Sequence, residues 1–185
     1  ARAVLFTGAG RAFCSGADLA ARGERSVGGG EGAYVALTQS FNPAMLKLAQ
    51  LGVPVVSAVN GPAAGIGCSL ALAADFCLMG ESAYVLQAFV NIGLLPDSGG
   101  TWFLPQRVGV ARAMGLAMLG ERIPAEQAAQ WGLIWRCVDD DRLDAEVEAL
   151  ATRLAGMPTM ALAAIKRAIR SAAGNGLDAQ LDLER

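Results

Sequence analysis

The segment Pro54-Val-Val-Ser-Ala-Val-Asn-Gly-Pro-Ala-Ala-Gly-Ile-Gly-Cys-Ser-Leu-Ala-Leu-Ala-Ala-Asp-Phe-Cys-Leu-Met79 decides the fold class. It opens with an apolar run, 54–59, that is typical of a buried strand, and a glycine-rich turn follows. Residues 64–74 are then apolar on nearly every side, which predicts a fully buried helix. The apolar run 75–79 predicts another strand. A strand, a buried helix and a strand in this order indicate an α/β fold.

The same alternation extends in both directions along the chain. Further strands are predicted at 2–7, 84–86 and 134–138. The spacing of apolar residues predicts helices over 34–51, 124–131, 143–155 and 158–173, and from 101 onwards. Residues 21–33 are rich in glycine and charge, and they predict a mobile flap. We therefore expect an α/β fold with mostly parallel strands and a helical C-terminal portion.

Composition narrows the class of protein. The chain has 185 residues and a formal net charge of -2, so it offers no electrostatic footprint for nucleic acid. No apolar stretch reaches the roughly 18 residues of a membrane span. The four cysteines form no Cys-x-x-Cys pair, which favours free thiols in a reducing, cytoplasmic setting. The chain contains no histidine, which excludes a Ser-His-Asp or Cys-His nucleophile and argues against a zinc site.

Asp97 is the strongest candidate for chemistry. It lies in Gly93-Leu-Leu-Pro-Asp-Ser-Gly-Gly-Thr101, with mostly apolar sequence on both sides. A carboxylate in apolar surroundings tends to have a raised pKa, which makes it a useful base near neutral pH. The alternative is structural, because Asp or Ser at this point could cap the helix that follows. The segment alone leaves both interpretations open.

Two glycine-rich segments could present backbone N–H groups to a ligand. The turn Gly8-Ala-Gly10 and the segment Arg11–Leu19 follow the first strand, and Asn60–Ser69 follows a second strand and opens the buried helix. Two N–H groups that converge on one oxygen make an oxyanion hole, and a helix N-terminus adds positive potential. Neither segment has the third glycine of a dinucleotide fingerprint, so tight turns and close helix packing are the simpler interpretation on composition alone.

Three motifs together resemble a known family. Ala12–Leu19, Ala58–Gly67 and Gly93–Thr101, in this order and spacing, closely resemble the crotonase (enoyl-CoA hydratase/isomerase) superfamily. The later run from Trp102 to Trp135 is most similar to the branch that isomerises ring-epoxyphenylacetyl-CoA in phenylacetate catabolism. The resemblance covers essentially the whole chain.

The resemblance implies a fold, a substrate class and an assembly. It implies a spiral of ββα units with a CoA-ester site over residues 1–120 and a helical portion over 121–185, with further strands before Arg2 and a helical tail after Arg185. The substrate would be an acyl-CoA ester, in which CoA is part of the substrate, so no separate cofactor is expected. A homotrimer or a hexamer of stacked trimers is implied, and helical spacing of Met157, Met160, Leu162, Ile165 and Ile169 makes an apolar contact face plausible.

Site residues follow from the resemblance motif by motif. The N–H groups of Ala17 and Ile66 would form the oxyanion hole. The remaining substrate-binding positions would be Asp18, Leu19, Gly65 and Phe89. Asp97 occupies the position at which isomerases of the family place their single acid.

Two departures from the family pattern favour an isomerase over a hydratase. Hydratases of the family carry two glutamates, at the positions where this chain has Ser69 and Phe89. Neither residue can activate water or protonate carbon as a carboxyl group does. Phe89 would instead form an apolar wall beside Asp97. Ser69 would be either a polar helper or a helix residue whose hydroxyl bonds locally, and the habits of serine in helices favour the second.

Two alternatives to an isomerase with Asp97 as acid/base stay open. The first is an aryl-CoA dehalogenase, in which an Asp at this position attacks the ring as a nucleophile. Such an enzyme needs an aromatic clamp, for which Phe89 is the obvious candidate. The second is a non-catalytic CoA-ester-binding subunit, which would have no need of an acid in an apolar cleft.

Overall fold

Two β-sheets form the frame of the protein. The computed structural model describes residues 1–18 and 29–185. The larger sheet has four parallel strands in the spatial order β1 (Val4–Thr7), β2 (Val55–Val59), β4 (Phe76–Gly80) and β7 (Arg136–Val138). The smaller sheet holds β3 (Ala63–Ala64), β5 (Tyr84–Leu86) and β6 (Arg122–Pro124), in which only the β5–β6 pair is antiparallel. The prediction of an α/β fold with mostly parallel strands is confirmed.

Strand β2 lies at the centre of the larger sheet. It pairs with β1 through Val4 and Val55 and with β4 through Val56 and Phe76, and every residue of β2 is buried. A strand buried on both faces can be apolar throughout, which explains the unbroken run that the sequence shows there. The carboxyl ends of β1 and β2 meet at one edge of the sheet, so the two glycine-rich segments that follow them begin side by side.

Helices cover the sheets and dominate the second half of the chain. They are α1 (Gly29–Ala36), α2 (Asn42–Gln50), α3 (Ile66–Ala73), α4 (Gly100–Leu119), α5 (Ala125–Gln130), α6 (Leu143–Gly156), α7 (Thr159–Ala172) and α8 (Leu177–Leu183), with a π-helical turn at Leu37–Phe41 and 3-10 turns at Ala88–Ile92 and Asp140–Arg142. The loop prediction for 21–33 is wrong at 29–33, which open α1; residues 19–28 lie outside the described part of the chain. Strands β3 and β6 and helix α8 were not predicted.

Helix α3 is the buried helix that the sequence predicts, and Arg107 fixes its end. Within α3 only Ile66 and Leu70 are not fully buried. The Arg107 guanidinium, on α4, donates to the carbonyl oxygens of Leu72 at 2.6 Å and Ala74 at 3.0 Å. These bonds satisfy carbonyls that a helix C-terminus leaves without partners. Helix α3 is therefore held at its far end while its first turn faces the glycine-rich segments.

Asp75 anchors the C-terminal helix α7 to the sheet. Its two carboxylate oxygens pair with Lys166 and Arg170, each at 2.8 Å, and Oδ2 also accepts from the amide of Val55. Strands β6 and β7 both come from beyond residue 120. Strand β6 belongs to the smaller sheet and β7 to the larger one. The division of the chain into a core over 1–120 and a helical portion over 121–185 stays a prediction. Each sheet contains strands from both sides of residue 120.

Candidate active site

Asn60 fixes the turn that leads from β1 into the first glycine-rich segment. Its side-chain oxygen accepts from the amide of Gly8 at 3.1 Å, and its side-chain nitrogen donates to the carbonyls of Gly8 at 3.1 Å and Gly10 at 2.9 Å. Asn60 itself follows β2 directly. One side chain therefore ties together the ends of the two neighbouring strands, from which the first two motifs continue.

The first two motifs lie against each other. The amides of Phe13 and Cys14 donate to the carbonyl of Pro62, and the amide of Ala64 donates back to the carbonyl of Cys14 at 2.9 Å. At Gly67 a Cβ atom would lie 2.3 Å from the oxygen of Cys14, so only glycine permits this approach. The predicted oxyanion donors thus belong to adjoining segments. Counted from the paired residues Cys14 and Ala64, Ala17 lies three residues further along the chain and Ile66 two.

Ile66 is the first residue of α3, and its N–H has no acceptor within the helix. The first N–H groups of any helix point outward unpaired and carry the positive end of the helix dipole. The preceding Gly65 has a φ of 56° and provides no side-chain cap. This is the local arrangement that an oxyanion donor requires. Ala17 and Asp18 are exposed, and Leu19, also predicted to bind substrate, lies outside the described residues.

Phe89 faces the start of α3. Its ring atoms Cζ and Cε2 lie 3.6 Å and 3.8 Å from the position that a Cβ of Gly65 would occupy. The ring is half-buried, on the 3-10 turn that precedes the third motif. The structure therefore brings together Phe89, Gly65 and Ile66, as the resemblance implies.

The third motif makes a tight turn at Pro96–Gly100, which we call the Asp97 turn. The amide of Gly100 donates to the carbonyl of Asp97 at 2.8 Å. Ser98 has a φ of 51°, a left-handed conformation that side-chain-bearing residues seldom adopt, and is only 4% exposed. Helix α4 begins after Gly99 with no side-chain cap, so the alternative that Asp97 or Ser98 caps this helix is wrong. Backbone strain of this kind clusters at functional sites.

The carboxylate of Asp97 is poorly solvated. Its Oδ1 atom is buried and has no hydrogen-bond partner within the described residues. Burial raises the pKa of Asp97 above its ordinary value, and the neighbouring Ser98 hydroxyl offsets part of this rise, although that hydroxyl also lacks a partner of good geometry. The raised pKa agrees in direction with the sequence prediction. A carboxylate of this kind accepts a proton more readily than one in water.

Ser69 connects the second motif to the third. Its hydroxyl is completely buried and donates to the main-chain carbonyl of Asp97 at 3.2 Å. The expectation that this hydroxyl bonds locally within its helix is therefore wrong. Ser69 lies three residues after Ile66, so the two residues share a face of α3. Asp97 is consequently held over the same face that starts with the predicted oxyanion donor.

Gln87 is a polar residue of this site that the sequence did not single out. It is fully buried, and neither atom of its amide has a hydrogen-bond partner within the described residues. Its nitrogen lies 3.5 Å from the position that a Cβ of Gly100 would take, and the Ser69 oxygen lies 3.2 Å from the same point. The available signal was an amide side chain directly after the apolar strand β5.

A cavity of about 740 Å³ borders the Asp97 turn. Its lining includes Ser98 and Gly99, Trp102 of α4, Met45 of α2 and Lys166 of α7, but neither Asp97 nor Ile66. The volume falls within the range of small-molecule sites. The cavity therefore reaches the turn from the side of Ser98 and Gly99.

The cysteines offer no activated thiol in the core beside this junction. All four are free. Burial raises the pKa of Cys68 to about 12 and that of Cys77 to about 11, so both thiols stay protonated at neutral pH. Within the described residues, no group of three or more acidic, cysteine or histidine side chains could hold a metal ion, and no helix has the length and hydrophobicity to cross a membrane.

Comparison with known proteins identifies relatives along the whole chain. The sequence model of the family "Enoyl-CoA hydratase/isomerase" matches residues 1–185. A 1,2-epoxyphenylacetyl-CoA isomerase of Escherichia coli strain K12 is 50% identical over 184 residues, which are 100% of this chain and 70% of that protein. A protein of Rhodobacter capsulatus, named "Probable enoyl-CoA hydratase", is 47% identical over 186 residues, with 100% and 70% covered.

Solved structures give the same result for the fold. The crystal structure of an enoyl-CoA hydratase from Bacillus anthracis superposes with a TM-score of 0.92 at 35% identity, covering 99% of this chain and 70% of that one. An enoyl-CoA hydratase from Polaromonas sp. JS666 gives a TM-score of 0.90 at 34% identity, covering 100% and 71%. The crotonase-like fold that the three motifs predicted is confirmed.

Proposed function

The chain belongs to the enoyl-CoA hydratase/isomerase family of acyl-CoA enzymes, and on that premise we propose that it is an isomerase in which Asp97 is the single acid/base. One observation carries the proposal. Asp97 is tied to the second motif through Ser69 and has a buried oxygen, Oδ1, without a hydrogen-bond partner among the described residues, while Ser69 and Phe89 supply no carboxylate. The Escherichia coli relative, half identical in sequence, is named as an isomerase, which supports the same choice.

A double-bond shift needs only one carboxylate. Asp97 takes a proton from the carbon α to the thioester, and the electron pair moves into the carbonyl to give a dienolate. The N–H groups of Ala17 and Ile66 hold the resulting oxyanion. Asp97 then returns the proton to the γ-carbon, the double bond moves into conjugation, and no atom is gained or lost.

The oxyanion donors and Asp97 can together supply a large part of the rate acceleration. A preorganised oxyanion donor contributes about 3–4 kcal/mol of transition-state stabilisation. General base catalysis adds about 10²–10⁴-fold. Both contributions grow when water is excluded, and the ring of Phe89 beside Gly65 provides an apolar wall on that side. The raised pKa of Asp97 suits a base that must accept a proton from carbon.

The acyl group is the finer part of the proposal. The similarity to the Escherichia coli relative favours a ring-epoxide CoA ester, whose three-membered ring opens in the isomerisation. Simple 3-enoyl-CoA esters present the same acidic α-proton and are the second substrate class. CoA itself is part of either substrate, and we propose no separate cofactor.

We also propose that copies of the chain associate, as a homotrimer or as stacked trimers. Helix α7 presents Met160, Ile165 and Ile169 to solvent, with Met160 83% exposed, while Leu162 packs against the core. Ile165 and Ile169 lie one turn apart on the same side of α7, and an exposed apolar face of this kind favours a contact with another copy.

A panel of CoA esters tests the reaction class. We expect turnover of a 3-enoyl-CoA or a ring-epoxide CoA ester, and little hydration of a 2-enoyl-CoA. Halide release from a halogenated aryl-CoA ester would instead favour the dehalogenase, with Asp97 as nucleophile. Binding of CoA esters with no turnover of any of them would favour a non-catalytic subunit.

A further inference from the structure

The buried Oδ1 atom of Asp97 makes no hydrogen bond within the described residues that would orient its side chain. Among the described residues, the buried side-chain oxygen and nitrogen atoms without a hydrogen-bond partner belong to Gln87, Asp97 and Ser98. Ser98 and Gly99 both have left-handed backbone conformations, which residues other than glycine seldom adopt. The direction of the carboxylate therefore depends on what holds the main chain of the Asp97 turn.

One side chain from outside the turn supplies that hold. The Ser69 hydroxyl, 28 residues earlier in sequence, donates to the carbonyl of Asp97 at 3.2 Å, and the amide of Gly100 donates to the same oxygen at 2.8 Å. Ser69 is completely buried within α3. Because its hydroxyl is committed to a main-chain carbonyl, it is not a proton donor to substrate.

We propose that Ser69 is a positioning residue, whose hydrogen bond to the main-chain carbonyl of Asp97 fixes the Asp97 turn and, through it, the direction of the carboxylate. The inference rests on the proposed role of Asp97 as acid/base. It assigns a function to a position at which the family's hydratases would supply a catalytic carboxylate. In this chain the residue at that helix position, Ser69, orients the acid Asp97 and is not itself an acid.

Ser69→Ala removes this bond with little other damage. Alanine has the higher helix propensity. The Asp97 carbonyl keeps its bond from Gly100, so no buried acceptor is left without a partner. We therefore expect the variant to fold.

Ser57→Ala is the matched control. Ser57 is also completely buried, and its hydroxyl donates to the carbonyl of Ala71, on the same helix α3, at 2.9 Å. This substitution removes a buried serine–carbonyl bond of similar length without touching the Asp97 turn. It separates a general loosening of α3 from a loss of positioning.

We expect Ser69→Ala to lower kcat about 10- to 100-fold, since small misplacements of a reacting group have effects of that size. KM should change little. The acidic limb of kcat/KM should also move to lower pH. Burial raises the pKa of Asp97 and the Ser98 hydroxyl lowers it in part, so a looser turn that admits water should reduce the effect of burial and lower this pKa. Ser57→Ala should keep both kcat and the acidic limb of the parent.

The experiment measures kcat, KM and the pH profile of isomerisation for the parent, Ser57→Ala, Ser69→Ala and Asp97→Asn. Parental kcat and an unmoved acidic limb in Ser69→Ala, with Asp97→Asn inactive, would overturn the positioning role alone. An active Asp97→Asn would overturn the proposed function and this inference together. If Ser69→Ala does not fold, Ser69→Cys serves, because its weaker S–H donor should give the same losses in smaller measure; parental behaviour there would overturn the inference.

Discussion

Replacement of Asp97 by Asn is the sharpest perturbation of the site. The amide keeps the shape of the side chain but cannot take a proton at the working pH. We expect isomerase turnover to fall by at least the share that a general base supplies, about 10²–10⁴-fold. CoA-ester binding should stay within a few-fold of the parent, because the N–H groups of Ala17 and Ile66 and the wall formed by Phe89 are unchanged.

The structure also predicts the effect of this substitution on stability. The buried Oδ1 atom of Asp97 has no hydrogen-bond partner to lose among the residues that the structure describes. Because the folded-state pKa is raised, the folded protein holds this proton more tightly than the unfolded chain. Stability from the neutral carboxyl is therefore complete below the unfolded pKa and is lost as pH rises through the folded pKa. Above the folded-state pKa the ionised carboxylate destabilises the fold, so in that pH range Asp97→Asn should melt at the parental temperature or above.

The assay pairs turnover of a 3-enoyl-CoA with CoA-ester binding and thermal unfolding on the same preparations. The pH profile of the parent gives a further check, since kcat/KM should begin to fall, as pH decreases, above the pH typical of an exposed aspartate. Turnover of Asp97→Asn within tenfold of the parent would refute the assignment of Asp97 as the acid/base. Lost binding or lost folding in that variant would mean that its inactivity says nothing about proton transfer.

Three further predictions concern the reaction, the fold and the assembly. Hydration of crotonyl-CoA should be weak, Ser69→Glu alone should not restore it because Phe89 still supplies no second acid, and a rate on the order of 10 per second or more would contradict the isomerase assignment. Asp75→Ala should lower the free energy of unfolding by about 3 kcal/mol in denaturant titrations, since it leaves the charge of Lys166 without a carboxylate and with the Val53 carbonyl as acceptor. Asp182→Ala, at an exposed pair, should cost under about 1 kcal/mol, and equal losses would contradict the anchoring role. Light scattering on the purified protein should give a trimer or its double, and a monomer at micromolar concentration would refute the assembly.

The fold was predictable where the hydrophobic pattern was long and unbroken. The central strand β2 and the helix α3 are buried on all sides, so their sequences are apolar throughout and leave little ambiguity. Strand β6 was missed because Ile123 is its only apolar residue besides Pro124, so it shows no apolar run, and its position is set by pairing with β5. Helix α8 was missed because its apolar residues are largely exposed, which weakens the periodic signal.

The site was predictable as a set of segments and less so as a set of contacts. The three motifs indicated Asp97, Ile66 and Phe89, and the apolar sequence around Asp97 gave the correct direction of its pKa. The role of Ser69 could not be read from the sequence, because its partner lies 28 residues away and the local habits of serine suggested a bond within the helix. Gln87 was missed for the same reason, since its burial depends on tertiary packing.

The central claim is that Asp97 moves a proton within the substrate and that no water is added. Incubation of a 3-enoyl-CoA ester with the protein in water enriched in oxygen-18, followed by mass spectrometry of the CoA esters, measures this directly. The account predicts a 2-enoyl-CoA product of the substrate's elemental composition, without oxygen-18, which Asp97→Asn should form at least about 10²-fold more slowly. Accumulation of a hydroxyacyl-CoA that carries oxygen-18, at a rate equal to or above that of isomerisation, would contradict it.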